Sequence, residues 1–178
     1  MAHFTALTGT PGTGKTTAAQ MMATKRPAIE VHDLASRSGQ YGPPGGPREV
    51  DLDRLARWMR RNPPGRSNTL VVGHLAHLLP VQDVVILRCH PIELARRLKG
   101  RPGLTPDQLR ENVAAEAIDL VAYEARRTPG RCWEIDTTHR TPAQVAREAD
   151  RLLRRRPVPR MGTVDWLSDP TVTAYLLP

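Results

Sequence analysis

The residues best suited to chemistry lie near the start of the chain, where residues 9–17 read GTPGTGKTT. This stretch matches the phosphate-binding pattern G-x-x-x-x-G-K-[ST] at every position, and the alternative is a plain glycine turn. Its glycines let successive backbone N–H groups point into one concavity, which suits the phosphates of a nucleoside triphosphate. Lys15 would reach the β- and γ-phosphates, and the Thr16 hydroxyl would bind Mg²⁺. The predicted nucleotide contacts of the loop are Gly12, Thr13, Gly14, Lys15, Thr16 and Thr17.

Three further polar residues follow predicted strands. Asp33 comes just after the second strand, where it would hold a Mg²⁺-bound water or orient an acceptor, or else cap the next segment. His74 follows the third strand and is placed to contact phosphate or a catalytic water. His77 is a structural residue in this interpretation, although two histidines three apart also fit half of a zinc site. The third strand itself ends in Val72, where many P-loop enzymes carry an acid that organises Mg²⁺.

Arg101 lies between two glycines, in the sequence KGRPG, on a short connection between predicted helices. Such an arginine suits a closing lid, which would bring a cation onto the transferring phosphate and exclude water. The alternative is one more solvated arginine, because all but three of the 26 basic residues are arginine. The sequence pattern leaves both interpretations open.

These residues require an alternation of strands and helices to position them. Apolar runs predict strands at 4–8, 28–31, 69–72, 83–88 and 131–135, with helices at 16–26 and 51–61, from Pro91, and after the capping residues Thr105 and Thr141. The helix after Thr105 is expected to be long, with Leu120 and Val121 facing the core. Residues 36–47 are rich in Gly and Pro, which predicts a loop without regular structure. Together these elements predict an α/β fold of the P-loop NTPase type, with a doubly wound, five-stranded parallel sheet and helices on both faces.

Composition narrows the class of protein. A length of 178 residues predicts one domain, and no apolar run approaches the roughly 18 residues of a membrane span. Without a signal-peptide layout the protein is expected to be cytoplasmic, and two cysteines are too few for a disulfide framework. The net charge of +8 is suited to binding phosphates, RNA or acidic protein tails. The alternative is that the basic residues simply lie on solvent-facing helix surfaces.

Several motifs together resemble adenylate kinase isoenzyme 6 and its archaeal relatives. Besides the loop they are residues 30–35 (EVHDLA), 50–53 (VDLD), 72–80 (VGHLAHLLP), 87–91 (LRCHP), 110–113 (RENV) with Glu116, and 136–138 (DTT). The resemblance covers about residues 1–150, and residues 162–167 (GTVDWL) are similar to the tail of some archaeal members. The family usually shows an acid two residues before His74, so Val72 is a departure that puts metal binding or hydrolysis in question.

The resemblance implies Mg²⁺-dependent transfer of the γ-phosphate of ATP to AMP, with slower ATP hydrolysis. It implies a kinase domain over 1–156, containing an AMP-binding segment at about 33–53 and a lid at about 100–110, followed by a C-terminal extension, 157–178, packed on the domain. Arg101 matches the lid arginine, and Arg140 falls in the loop that packs on adenine. Members also act in small-ribosomal-subunit assembly, which implies an S11-type ribosomal protein and ribosomal RNA as partners.

Three hypotheses follow from these observations. The first is an adenylate kinase that uses Lys15, Asp33, His74 and Arg101. The second is an assembly ATPase with a ribosomal partner, and the third is a P-loop kinase of another small acceptor. The sequence does not distinguish AMP from other monophosphates, because the Gly/Pro-rich segment carries no readable code for a base.

Overall fold

The computed structural model describes residues 3–39, 41 and 49–177. Its centre is a five-stranded sheet in which every pairing is parallel and the strand order is β2-β3-β1-β4-β5. The strands are β1 (Phe4–Thr8), β2 (Ala28–Glu30), β3 (Thr69–Val72), β4 (Asp83–Arg88) and β5 (Arg131–Asp136). All five carboxyl ends therefore meet at one edge of the sheet, as the alternating pattern predicted.

Eight described helices surround the sheet. They are α1 (Lys15–Met22), α2 (Val31–Ser38), α3 (Leu52–Arg61), α4 (Pro91–Leu98), α5 (Pro106–Ala117), α6 (Leu120–Ala125), α7 (Pro142–Arg155) and α8 (Pro170–Leu176). Thr105 and Thr141 cap α5 and α7 in complete capping boxes, so both predicted helix starts are confirmed. Within the described ranges, no helix has both the length and the apolar character needed to cross a membrane.

The sheet separates two apolar cores. Alternate residues of β4 face opposite sides, so that Val84 and Ile86 lie in one core and Val85 and Leu87 in the other. Helices α2, α3 and α6 cover the first core with residues that include Leu34, Leu55, Met59 and Ala122. Helices α1 and α7 cover the second core with residues that include Ala18, Met22, Ala149 and Leu152. Helices on both faces confirm the predicted doubly wound α/β fold.

Three predicted elements differ from the structure. Helix α1 ends at Met22, four residues short of the predicted end at residue 26. The segment expected to be irregular from residue 36 instead begins with the last turn of α2, which ends at Gly39 in the left-handed conformation. The long helix predicted after Thr105 breaks at Ala117, because Asp119 has φ of 57° and starts α6 anew. Leu120 was expected in the core and is 40% exposed. Residues 40 and 42–48, the rest of the predicted Gly/Pro-rich loop, lie outside the described residues.

The segment after α7 runs along the domain. Arg160 forms a parallel bridge with Trp133 of β5. Farther on, the Trp166 ring contacts the His90 ring edge-to-face, with centroids 5.1 Å apart. Helix α8 packs on α4 and buries Val172 completely. Cys89 and Cys132 are both free and buried, as expected of a chain without a disulfide framework.

Candidate active site

The phosphate-binding loop joins β1 to α1 at the carboxyl edge of the sheet. Gly14 is the N-cap of α1 and has φ of 97°, a left-handed conformation that favours glycine. A Cβ built on Gly14 meets nothing within 4 Å, whereas one built on Gly12 comes within 3 Å of Leu94 and Leu98. No side chain caps α1 and no acid lies in its first turn. The first N–H groups of the helix therefore have no side-chain acceptor at the cap and form a ready site for anions.

Lys15 lies over the loop rather than out in solvent. Its ammonium donates hydrogen bonds to the carbonyls of Gly9 and Thr10, at 2.8 and 3.0 Å. The pKa of Lys15 is lowered to about 8, chiefly by burial and to a smaller extent by the nearby charge of Arg101, against the charges of Glu30 and Glu116, which act to raise it. An anionic phosphate at this point would favour the charged ammonium again.

Thr16 donates a hydrogen bond from its hydroxyl to the Glu30 carboxylate, with an oxygen–oxygen distance of 2.9 Å. Glu30 is the last residue of β2 and is paired in register with Val72 at the end of β3. Glu30 belongs to the motif EVHDLA at residues 30–35, but no role for it follows from the sequence pattern. The signal available was its position at the end of a strand, next to the loop edge.

A second carboxylate, that of Glu116, also contacts the loop. The Glu116 side chain of α5 is 2% exposed and accepts a 2.5 Å hydrogen bond from the Thr10 hydroxyl. Its other oxygen accepts from Arg88 Nε, Cys89 N and Trp166 Nε1, at 2.8, 3.1 and 3.2 Å. The buried Arg88 guanidinium also binds Glu134 and Asp119. This cluster joins the loop, β4, α5 and the C-terminal segment.

The two histidines after β3 have different surroundings. His74 is exposed, and partial desolvation, then the charge of Lys15, lower its pKa, so its imidazole is neutral at pH 7 and lies within electrostatic reach of the loop. His77 is buried, with Thr8 Oγ1 at 3.0 Å from Nδ1 and Glu124 Oε2 at 3.1 Å from Nε2. Both ring nitrogens of His77 are thus occupied. Within the described part of the chain no group of three or more potential His, Cys, Asp or Glu ligands forms a metal site, so the zinc alternative is not supported.

Asp33 and Arg101 lie on elements other than the loop. Asp33 is an exposed residue in the first turn of α2, where a negative charge stabilises the helix dipole. Among residues 3–39, 41 and 49–177, no hydrogen bond or ion pair joins it to the loop. Arg101 is exposed on the turn between α4 and α5, and its positive charge is one of the effects that lower the pKa of Lys15. Their predicted roles on the acceptor side and in the lid stay predictions.

A cavity of about 340 Å³ borders the other side of the loop. It is lined by Gly12, Thr13, Gly14 and Thr17 of the loop region, and by Thr137 and Arg140 after β5. Arg97 holds the segment after β5 in place by donating to the carbonyls of Thr137 and Thr138, at 2.9 and 3.0 Å. A larger cavity of about 700 Å³ has none of the loop residues in its lining. The smaller one is therefore the candidate site for the base of a nucleotide held by the loop.

Comparison with known proteins agrees with this arrangement. The family described as the AAA domain matches residues 6–119. A protein named "Putative adenylate kinase" from Pyrococcus furiosus is 39% identical over 163 residues, which cover 90% of this chain and 89% of that protein. One of the same name from Halobacterium salinarum is 41% identical over 167 residues, covering 90% and 96%.

Solved structures are similar in fold at low sequence identity. Shikimate kinase from Acinetobacter baumannii in complex with shikimate gives a TM-score of 0.61 at 17% identity, covering 88% of this chain and 95% of that one. A sugar kinase from Janibacter gives 0.58 at 21%, covering 86% and 95%. The loop, the strand order and the sequence relatives agree: this chain belongs to the adenylate kinase isoenzyme 6 family of P-loop kinases.

Proposed function

We propose that the protein is an adenylate kinase, which transfers the γ-phosphate of ATP to AMP with Mg²⁺ as the metal ion. The observation that carries this proposal is the open, uncapped start of α1 with Lys15 folded over it, in a chain about 40% identical to relatives named for this activity. Phosphoryl transfer needs positioning and charge neutralisation more than a strong base. The loop offers both.

On the donor side the phosphates of ATP would bind the N–H groups of residues 12–17. Lys15 would exchange the carbonyls of Gly9 and Thr10 for the β- and γ-phosphate oxygens by rotation of its side chain. The adenine would enter the cavity beside Thr137 and Arg140. An oxygen of the AMP phosphate then bonds to the γ-phosphorus as the bond from that phosphorus to the bridging oxygen breaks, so that both products are ADP.

The residues present fit Mg²⁺. This ion prefers oxygen ligands and commonly takes one or two from the protein beside phosphates and water. Thr16 Oγ1 lies 2.9 Å from a carboxylate oxygen, which places two oxygens of this kind together at the loop. Bound with the nucleotide, Mg²⁺ would neutralise charge that builds up on the phosphates.

On the acceptor side we assign AMP to the segment at about 33–53. Asp33, in the first turn of α2, would shape the acceptor side, and His74, just after β3, would act as a neutral hydrogen-bonding group toward the acceptor phosphate. Arg101, in a lid at about 100–110, would add a positive charge to the transferring phosphate and exclude water.

A coupled assay of ADP formation tests the proposal. ATP, Mg²⁺ and AMP together should give ADP at a rate that saturates with AMP, while ATP alone should give only slow hydrolysis. No AMP-dependent turnover would end the adenylate kinase proposal. Transfer of labelled γ-phosphate to other nucleoside monophosphates, shikimate or sugars would then favour a kinase of another small acceptor.

The ribosomal role stays a prediction from the resemblance. The net charge of +8 suits an RNA-rich setting. Co-purification of an S11-type protein or small-subunit RNA at moderate salt, with release that depends on ATP, would support an assembly ATPase. Absence of such a complex would contradict that hypothesis.

A further inference from the structure

The end of β3 is apolar in this chain. Val72 is 1% exposed and packs in the core that contains Leu7 and Leu70. Its side chain provides no oxygen, so the end of β3 supplies no carboxylate to share a metal ion with the Thr16 hydroxyl. A metal ion at Thr16 needs its carboxylate from a neighbouring element.

The neighbouring strand places a carboxylate at this point. Glu30 is paired with Val72, which is paired in turn with Leu7 of β1. Residues paired in register extend from the same face of a sheet, and for Leu7 and Val72 this is the face covered by α1. The 2.9 Å hydrogen bond from Thr16 Oγ1 to Glu30 Oε1 follows from that placement.

Glu30 is available to a ligand. It is only half-buried, and among the described residues its carboxylate makes this single hydrogen bond, to Thr16. Its negative charge is the largest of the effects that oppose the lowering of the Lys15 pKa, so it acts at the point where phosphates would bind. A carboxylate with a free oxygen beside a hydroxyl is the ligand type that Mg²⁺ takes in proteins.

We propose that Glu30 supplies, from the end of β2, the carboxylate that holds the magnesium ion of the bound nucleotide, directly or through a bound water. It would replace the acid that β3 lacks at Val72. The inference rests on the proposed function only in taking a metal–nucleotide complex as the ligand of the loop. A purely structural role, in which Glu30 tethers α1 to β2 through Thr16, is the competing explanation.

Nucleotide binding measured with and without metal separates the two. The titration uses a fluorescent ATP analogue against wild-type protein and Glu30→Gln, once in excess Mg²⁺ and once in excess EDTA. Gln keeps an oxygen that accepts the Thr16 hydrogen bond, so the tether survives while the charge is lost. Glu111→Gln, on the exposed surface of α5, is the matched control that removes the same charge away from the loop.

We expect Mg²⁺ to tighten binding to wild type and to Glu111→Gln, and this gain to fall about tenfold or more in Glu30→Gln, as for other lost metal-site partners. Binding in EDTA should be unchanged or tighter in Glu30→Gln, because a negative charge near the phosphates is gone. A Mg²⁺ gain that is equal in all three proteins overturns the inference.

The experiment also separates this inference from the proposed function. Metal-dependent binding that is lost in Glu30→Gln, together with no ADP formed from AMP, would leave the metal role standing and end the adenylate kinase proposal. If ADP forms from ATP and AMP and Glu30→Gln does not change the gain in nucleotide affinity that Mg²⁺ gives, the metal role of Glu30 is overturned and the adenylate kinase proposal stands. Failure of wild type to bind the nucleotide at all would overturn both.

Discussion

Two carboxylates contact the phosphate-binding loop, and their surroundings differ. Glu116 is 2% exposed, and its oxygens accept hydrogen bonds from Thr10, Arg88, Cys89 and Trp166. Glu30 is half-buried and accepts one hydrogen bond, from Thr16, within the part of the chain described. Both hold a threonine hydroxyl of the same loop. Because both oxygens of Glu116 already accept hydrogen bonds, this residue is suited to fixing the shape of the loop. Because Glu30 accepts a single hydrogen bond among the described residues, its carboxylate is suited to binding a ligand.

The physical basis of this difference is desolvation. A buried ion pair such as Arg88–Glu116 is costly to break, because the buried guanidinium that remains loses compensating charge and keeps only part of its partners, Asp119 and Glu134. A half-buried carboxylate such as Glu30 stays largely hydrated, so its loss costs the fold little. Stability measurements should therefore respond to Glu116 and metal-dependent binding to Glu30.

The largest effect should come from Glu116→Ala. Loss of this carboxylate leaves the Arg88 Nε–H and the Thr10 hydroxyl without their acceptors, while Arg88 keeps Asp119 and Glu134. This loss should lower the free energy of unfolding by about 3 kcal/mol. Urea denaturation followed by circular dichroism measures it. A loss under 1 kcal/mol would show that the cluster does not hold the loop.

Lys15→Met should have the next largest effect, on activity. Removal of a cation that stabilises the transferring phosphate costs about 10²–10³ in rate. The unfolding free energy should be unchanged or higher, because the wild-type ammonium is held against its desolvation cost. Steady-state ADP formation from ATP and AMP is the measurement, and a rate within a few-fold of wild type would remove Lys15 from the mechanism.

Nucleotide affinity should fall at alkaline pH. The pKa of Lys15 in the folded protein is about 8, below its ordinary value, so the folded state holds fewer protons than the unfolded chain between the two values. This group therefore makes stability rise with pH above about 8. ATP binding goes the other way, because phosphates favour the ammonium, and affinity should weaken about tenfold by pH 9. Lys15→Met should lack this dependence; an identical pH profile in both proteins would contradict it.

Trp166→Phe should have a smaller effect on stability. It removes the hydrogen bond from the indole nitrogen to Glu116 and retains a ring against His90. We expect a loss of about 1 kcal/mol in the free energy of unfolding. Combined with Glu116→Ala the two losses should be less than additive, because they share this contact. Full additivity would place Trp166 outside the cluster.

The smallest effect on stability should come from Glu30→Gln, within about 0.5 kcal/mol of wild type. Denaturation under the conditions used for Glu116→Ala gives the direct contrast. A loss comparable to that of Glu116→Ala would erase the distinction between the two carboxylates.

Much of the fold could be predicted from local sequence. All five strands occupy the predicted positions to within one residue at each end, because each is a short, largely apolar run. The sequence pattern did not predict helix α2. No side chain caps the start of this helix, and the Gly/Pro-rich run that overlaps its last turn predicts a loop. The break at Asp119 depends on a left-handed backbone conformation at a residue that is not glycine, so the sequence pattern gives no signal for it.

The site was less accessible to sequence reasoning. The pattern of residues 9–17 located the loop, yet the carboxylates that support it lie far along the chain. Glu116 is 106 positions from Thr10, and Glu30 reaches Thr16 through the register of β2 on β3. Such contacts are set by packing, and no local pattern encodes them.

A crystal structure with Mg²⁺ and the bisubstrate analogue P1,P5-di(adenosine-5′) pentaphosphate tests the central claim most directly. We expect one adenosine beside Thr137 and Arg140, and a phosphate chain across residues 12–17 under Lys15. We also expect the metal ion between Thr16 and Glu30, and the second adenosine over the segment at about 33–53. An analogue bound through one adenosine only, or a metal ion that contacts neither Glu30 nor a water held by it, would contradict the account.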